Sequence, residues 1–108
     1  MTEYSRDFIV GKNKAGVIKL ENHPENVYDD IFIGTVSDEE YDFIDKEIAY
    51  ASCREHDIDF CDYEYDEIPN ELVDYFFDLI GENKDKCPAF YQALEYAKES
   101  GGIIHICF

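Results

Sequence analysis

Apolar residues in the first third of the chain come in short runs separated by polar breaks, a pattern typical of β-strands. Residues 4–10 end in three consecutive apolar residues, residues 15–20 contain a second apolar run, and residues 27–35 contain a third. The polar break at 11–14 has the length of a hairpin loop. The pattern predicts three strands, of which the first two form a β-hairpin.

The spacing becomes helical after this region. Ser37 is suited to cap a helix, and Glu40, three positions later, completes the sequence pattern of a capping box. Apolar residues between Tyr41 and Ala51 then recur at intervals of three and four, which gives one apolar face. We therefore predict a helix over 38–55.

Two further helices and a final strand follow. Apolar residues at helical spacing predict one helix over 70–80, closed by Gly81. They predict another over 88–99, which begins with Pro88. The mostly apolar residues 103–108 predict a strand at the centre of a sheet.

The order of these elements is βββ-α-β-α-α-β, where the fourth strand comes from the acidic stretch described next. It predicts the α+β class, with a mixed or antiparallel sheet and about three helices packed on one face. The 108 residues contain no linker, repeat or low-complexity tail, so we expect a single domain over 1–108.

The most unusual stretch is 57–67, which has six carboxylates among eleven residues and no basic residue. Acidic and apolar residues alternate up to Phe60, and the alternation changes parity after it. A one-residue shift reverses the face that an extended chain presents to the core. We therefore predict either a strand with a bulge near Phe60 and Cys61, or two short extended pieces joined by a bend.

Charge is concentrated in the middle of the chain. The formal net charge is -17, and residues 37–82 contain seventeen acidic and two basic residues. Such a protein is repelled by nucleic acids and by anionic membrane surfaces, and it attracts basic proteins. We therefore expect a basic protein partner, with no direct binding of nucleic acid and no membrane association.

Carboxylates also recur at helical spacing in the predicted helices on both sides of the acidic stretch. Like charges at i,i+4 cost about 0.2–0.5 kcal/mol per pair, and tolerance of that cost indicates a surface kept for binding. Exposed tyrosines would add aromatic anchors. The predicted partner-binding residues are Asp38, Asp42, Asp45, Asp57, Asp59, Asp62, Tyr63, Glu64, Tyr65, Asp66, Glu67, Glu71, Asp74 and Asp78.

Metal binding is a second interpretation of the same stretch. The carboxylates between Asp57 and Glu64 are hard ligands suited to Ca²⁺ or Mg²⁺, but their spacing is not that of an EF-hand. Cys53, His56 and Cys61 form an incomplete zinc pattern. We expect neither a metal site nor a cofactor.

The four cysteines have no paired spacing, so we expect reduced thiols used as small core residues in a cytoplasmic protein. The chain begins without a basic and apolar leader. Cys53 with His56 and Cys107 with His105 are the local pairs that could act as nucleophile and base. Neither has a turn that would expose the thiol, and there is no glycine-rich phosphate loop, so we expect no catalytic residues and no enzyme.

In length, charge and mixed α/β pattern the chain resembles the small acidic immunity proteins of bacterial contact-dependent inhibition and other polymorphic toxin systems. The resemblance implies a cognate basic toxin domain, often a ribonuclease or deoxyribonuclease. It implies that carboxylates of the inhibitor meet the lysine and arginine residues with which the toxin binds nucleic acid. The inhibitor itself would have no catalytic activity.

Two other functions fit the same charge pattern. One is a phage-type mimic of nucleic acid that blocks a restriction or CRISPR protein, with carboxylates in place of phosphates. A mimic would space its carboxylates along an elongated surface, whereas an immunity protein would gather them beside apolar anchors. The other is a metal-binding domain or a small metal-dependent enzyme.

Overall fold

We describe the protein from a computed structural model, in which residues 5–22 and 29–108 are described, the side chains of residues 21 and 22 excepted. The strands are β1 (Arg6–Gly11), β2 (Ile31–Val36), β3 (Tyr65–Ile68) and β4 (Ile104–Cys107). The α-helical segments are α1 (Lys14–Asn22), α2 (Asp38–Ile44), α3 (Tyr50–His56), α4 (Val73–Ile80) and α5 (Pro88–Ser100). One π-helical turn (Asp45–Ala49) joins α2 to α3, so both belong to a single long helix. No helix in the described parts is long and apolar enough to cross a membrane.

The four described strands form one antiparallel sheet in the order β2-β1-β4-β3. This confirms the α+β class and the antiparallel sheet, and it places the final strand between β1 and β3 as its apolar sequence predicts. Because α2 and α3 are continuous, the described chain has four helices in space, where the sequence predicts about three.

The predicted hairpin is wrong, because residues 15–20 belong to helix α1. The side chain of Asn13 caps this helix by accepting a hydrogen bond from the backbone N–H of Gly16 at 2.9 Å. Gly16 also packs against the next strand, since a Cβ there would lie 1.9 Å from the carbonyl oxygen of Asp30. Strands β1 and β2 still pair, but through a helical connection. Residue 4 of the first predicted strand and residues 27–28 of the third lie outside the described residues.

Five phenylalanines form the centre of the core between the sheet and the helices α2–α5. Phe8 of β1 stacks on Phe90 of α5 with ring centroids 4.8 Å apart and meets Phe108 edge-on at 5.1 Å. Phe60, from the acidic stretch, lies 5.5 Å from Phe90 and 6.0 Å from Phe76. The acidic stretch is therefore anchored in the core by an aromatic ring.

The opposite face of the sheet is only partly covered, because α1 packs on one end of it. Gly11 of β1 lies directly under α1, where a Cβ would approach the backbone nitrogen of Val17 to 2.5 Å. Ile31, paired with Gly11 across the strands, is buried there outside the main core. Helices thus lie on both faces, and the prediction that they pack on one face alone is wrong.

Glu40 behaves differently from the capping-box prediction. Its backbone N–H donates to the Ser37 side chain at 3.1 Å, which confirms Ser37 as the N-cap of α2. Its carboxylate is buried and accepts a hydrogen bond from the backbone N–H of Phe90 at 2.9 Å. A carboxylate of one helix therefore caps the N-terminus of another and ties α2 to α5.

Candidate functional site

The acidic stretch is a loop over residues 57–64, and strand pairing begins only at Tyr65. Ile58 and Phe60 before the turn and Ile68 after it are buried, whereas Glu64 is exposed. Of the two alternatives from the sequence, the chain follows the bend and not a bulged strand, and the turn lies at residues 62–63. The parity change in the sequence reflects tyrosines that point outward.

Backbone hydrogen bonds fix this loop at both ends. The N–H of Tyr63 donates to the carbonyl of Phe108 at 2.8 Å, and the N–H of Phe108 donates to the carbonyl of Glu64 at 3.2 Å. At the other end, the buried hydroxyl of Ser52 donates to the carbonyl of Ile58 at 2.9 Å. The loop therefore has a defined shape despite its charge.

Arg6, at the start of β1, organises the acidic side chains around the loop. Its guanidinium donates from Nε and Nη2 to both carboxylate oxygens of Asp62, at 2.7 and 3.0 Å, and from Nη1 to Asp38 at 2.9 Å. The same group lies over the ring of Tyr41, 4.0 Å from its centroid. Hydrogen bonding to Asp62, followed by that to Asp38, raises the pKa of Arg6. Arg6 thus joins the loop to the start of α2.

Two non-glycine residues of the described chain have positive φ angles, and both belong to this loop. Asp57 has φ 56° and ψ 38° at the end of α3, and Tyr63 has φ 66°. A left-handed conformation costs a residue with a Cβ roughly 1–2 kcal/mol. Such strain concentrates at functional positions and is maintained by the surrounding structure.

Tyrosine side chains project outward from the loop and the strand that follows it. Tyr63 is 83% exposed and Tyr65 is 57% exposed. The hydroxyl of Tyr65 donates to Glu67 at 3.0 Å and lies 2.5 Å from Nδ1 of His105. Burial, together with the hydrogen bond to Glu67, raises the pKa of Tyr65 to about 12. Tyr65 is therefore fixed in place, while Tyr63 offers most of its ring to solvent.

The fourteen predicted partner-binding residues lie on several elements of the structure. A compact group, called the loop surface below, surrounds the bend and consists of Asp38, Asp45, Asp57, Asp59, Asp62, Tyr63, Glu64 and Tyr65. Asp45 belongs to it because its charge helps to raise the pKa of Cys61 in the loop, although burial is the main cause. Asp66 is half-buried and accepts the backbone N–H of Asp59 at 2.9 Å. The Asp66 side chain therefore stabilises the loop. The carboxylate of Glu67 accepts a hydrogen bond from the Tyr65 hydroxyl.

Of the remaining predicted residues, Asp42 lies one helical turn from Asp38 on α2, and the others belong to α4 and the turn before it. Asp42 forms an exposed ion pair with Lys46 at 2.9 Å. Asp74 and Asp78 line a groove between α4 and α5, and Glu71 is exposed in the turn before α4. The single composite patch stays a prediction, and in the structure α4 turns Asp74 and Asp78 toward α5.

A group of possible metal ligands lies at the start of the loop. The ligand atoms of Cys53, Asp57 and Asp59 come within 4.8 Å of one another. The Ca²⁺ and zinc sets considered from the sequence are not assembled, because Asp62 is held by Arg6 and the ring of His56 packs on Tyr75 at 4.4 Å. Three ligands of mixed softness are fewer than Ca²⁺ or a structural zinc ion requires.

The cysteines are poorly suited to nucleophilic chemistry. A hydrogen bond to Asp59 raises the pKa of Cys53, and burial raises that of Cys61, of Cys107 and of Cys87, the last to about 12. A reactive thiol requires the opposite shift. Cys87 is buried as predicted, whereas Cys53 and Cys61 are exposed, so the prediction of core positions is wrong for these two.

Sequence reasoning missed Arg6, the exposed Tyr50 of α3 and the carboxylates of α5. Tyr50 is 72% exposed and could be recognised only from the structure. Glu95 and Glu99 form an i,i+4 pair that the sequence does display. The structural role of Arg6 could not be recognised from the sequence, because the carboxylates that it binds lie 32 and 56 residues away.

No protein-family model matches the sequence, and neither the curated proteins nor the solved structures give a significant match. The class of the protein is therefore defined by its fold and site. It is an α+β protein that displays a fixed acidic loop with exposed tyrosines.

Proposed function

We propose that this protein is an acidic inhibitor that binds a basic protein through the loop surface, and that it acts as the immunity protein of a nuclease toxin. The observation that carries the proposal is Tyr63. This residue has a left-handed backbone, is 83% exposed and lies between two carboxylates in a loop fixed by hydrogen bonds. An aromatic anchor surrounded by acids is suited to a basic surface.

The negative charge of the loop surface affects the rate at which a basic partner associates. A strongly negative surface accelerates association with a positive partner by about 10–1000-fold, and the acceleration falls steeply with salt. The nucleic-acid-binding cleft of a nuclease is such a partner, since it gathers lysine and arginine residues to hold phosphates. Covering that cleft would exclude the substrate, and no chemistry is required of the inhibitor.

The arrangement of the carboxylates favours a protein partner over mimicry of a nucleic acid. They gather around Tyr63 and Tyr65 within one loop and the helix beside it, instead of following an elongated line. We place the encounter in the cytoplasm, where reduced cysteines are the rule and a nuclease toxin meets its substrate.

The proposal is tested with the toxin domain encoded beside this protein's gene. The purified domain is assayed for cleavage of RNA and of DNA, with and without this protein, and complex formation is followed by size-exclusion chromatography. Tyr63→Ala should weaken inhibition about tenfold or more, as expected of an aromatic hot spot. Tyr50→Ala, which truncates an equally exposed tyrosine outside the loop, should leave it unchanged. Full nuclease activity at an excess of the wild-type protein would refute the proposal.

A further inference from the structure

The groove between α4 and α5 is a second acidic surface. Its volume is about 820 Å³, and its walls are two antiparallel helices joined by a short connection. Four carboxylates line it, Asp74 and Asp78 on α4 and Glu95 and Glu99 on α5, against one ammonium, that of Lys98. The lining residues therefore have a formal charge of -3, and the ammoniums of Lys12 and Lys84, which lie over two of the groove's rings, reduce the charge at the groove to -1.

The residues of α4 that line this groove differ from the residue that contacts the end of α3. The Tyr75 side of α4 meets α3, where its hydroxyl donates to Glu55 at 2.5 Å. The Asp74 and Asp78 side meets α5. The groove and the contact with α3 therefore use different side chains of α4.

Three aromatic rings form the apolar part of the groove, and the chain places a lysine ammonium over each of them. The distances from Nζ to the ring centroid are 5.7 Å for Lys98 over Phe77, 6.0 Å for Lys84 over Tyr91 and 5.8 Å for Lys12 over Tyr96. Three of the seven lysines in the sequence are thus gathered at these rings. The rings and carboxylates together form an environment that attracts cations.

The ammonium of Lys98 is held by an exposed pair. Its Nζ lies 2.7 Å from Asp74, and the two side chains are 62% and 75% exposed. Exposed pairs of this kind contribute little to stability. A cation from another protein can therefore replace Lys98 at small cost and interact with the same carboxylate and the same ring.

We infer that the groove binds an extended segment of a basic protein in which two arginine or lysine residues are separated by one residue. Carboxylates at i,i+4 on a helix have Cβ atoms about 5–6 Å apart, and both Asp74 with Asp78 and Glu95 with Glu99 have this spacing. Alternate residues of an extended chain lie about 6.6 Å apart on one side. The inference goes beyond the proposed function, since it concerns another surface and does not require a nuclease as the partner.

The test uses fluorescein-labelled peptides of glycine and serine that contain two arginines. In one peptide a single residue separates the arginines, and in the other they are adjacent and therefore point to opposite sides when extended. Fluorescence anisotropy gives the affinity of each peptide for the full-length protein. The separated peptide should bind about threefold more tightly or better, which corresponds to one exposed cation–aromatic contact. Equal affinities would overturn the inferred spacing.

Charge-matched variants separate the groove from general attraction to an acidic protein. Asp78→Asn with Glu95→Gln should weaken binding of the separated peptide about tenfold, through lost charge-assisted hydrogen bonds. The control is Glu39→Gln with Glu47→Gln on α2 and the π turn. It should change the peptide affinity less than about twofold, because salt screens charges that lie outside the groove. Tyr91→Leu keeps the net charge and should weaken binding about threefold through the lost ring. Equal losses for groove and control variants would overturn the inference.

Removal of Lys98 should strengthen peptide binding, whereas the variants above should weaken it. Lys98→Met opens Asp74 and the ring of Phe77, and should strengthen peptide binding about threefold. Lys46→Met removes an equally exposed ion-paired lysine outside the groove and should have a smaller effect. Identical effects would show that only net charge matters and would overturn the inference. Asp57→Asn with Glu64→Gln should change peptide affinity less than about twofold, like the other charge-matched control, so failure of the groove is distinguishable from failure of the loop surface.

Discussion

Arg6 and Asp62 form a two-pronged ion pair between the first strand and the acidic loop, with N–O distances of 2.7 and 3.0 Å. The side chains are 17% and 32% exposed, so the pair is largely shielded from water. One carboxylate of the loop is therefore neutralised inside the protein, and its function is to fix the shape of the loop. The charge available to a partner comes from the neighbouring acids.

Replacement of Arg6 tests this structural role. Arg6→Met leaves Asp62 and Asp38 without their cation and should lower the free energy of unfolding by about 1–3 kcal/mol, the range for hydrogen bonds to charged groups. Arg6→Lys keeps the charge but loses the two-pronged geometry, so it should restore only part of the loss. Urea denaturation measures both.

Lys46→Met is the matched control, because its pair with Asp42 is exposed on both sides and should contribute less than about 1 kcal/mol. Hydrogen exchange adds a local measurement. The amide of Tyr63, which donates to Phe108, should exchange faster in Arg6→Met than in Lys46→Met. Equal stability and equal exchange in the two variants would contradict the role of Arg6.

Asp57 is unfavourable for local stability in two ways. Its φ is 56°, which favours glycine, and its negative charge lies at the C-terminal end of α3, where the helix dipole favours a positive one. Asp57→Gly should therefore raise the free energy of unfolding by about 0.5–1 kcal/mol. Asp57→Ala removes the charge but not the backbone strain, so its gain should be smaller. If thermal unfolding shows the glycine variant to be less stable than wild type, the strain at this position is absent.

The side chain of Tyr63 should contribute little to the stability of the fold. Its φ is 66° and its ring is mostly in solvent, so Tyr63→Gly relieves strain and gives up little burial. We expect the stability of this variant to be equal to or above that of wild type. Tyr65→Gly, within strand β3, should instead lose about 0.5–1 kcal/mol. Comparable destabilisation by both changes would show that the ring of Tyr63 supports the fold.

The buried carboxylate of Glu40 gives a pH dependence of defined sign. Burial raises its pKa above the ordinary value of 4.5, against the lowering effect of the hydrogen bonds from Phe90 and Ala89. Since the pKa is higher in the folded than in the unfolded protein, ionised Glu40 opposes folding at neutral pH. The protein regains this free energy as the pH falls through the folded pKa toward 4.5.

The Glu40→Gln variant isolates this contribution. The stability of wild type minus that of the variant should increase as the pH is lowered from about 7 to about 4.5, whatever constant cost the amide has. Urea denaturation at several pH values measures it. A difference that decreases toward low pH would mean that the folded pKa of Glu40 lies below its ordinary value.

Most of the regular elements could be predicted from local sequence, and the contacts that shape the site could not. The helix over 38–55 and the last strand followed from periodicity, because each buries one regular face. Residues 15–20 were assigned to a strand because of their apolar run, and the Asn13 cap with the close approach of Gly16 to Asp30 decided in favour of a helix. Such a close approach depends on a tertiary contact that no local pattern reveals.

The acidic surface could likewise be predicted only in part. Acidic character near the loop was evident from composition, but the division into a loop surface and a groove depends on the direction in which α4 packs. The π turn after Ile44 changes the angular position of every later residue of that helix, and periodicity alone does not locate it. Arg6 could not be assigned because its carboxylate partners are distant in sequence.

The central claim is that the loop surface makes the contact with a basic partner. Its most direct test is stopped-flow association of the isolated toxin domain with the variant Asp57→Asn, Asp59→Asn, Glu64→Gln, which leaves the pair of Arg6 and Asp62 intact. Glu39→Gln, Glu47→Gln, Glu82→Gln is the control with the same net charge. We predict that the loop variant associates about tenfold or more slowly at low salt and has a flatter salt dependence, while the control remains close to wild type. Equal association rates for the two variants would show that the loop surface is not the site of contact.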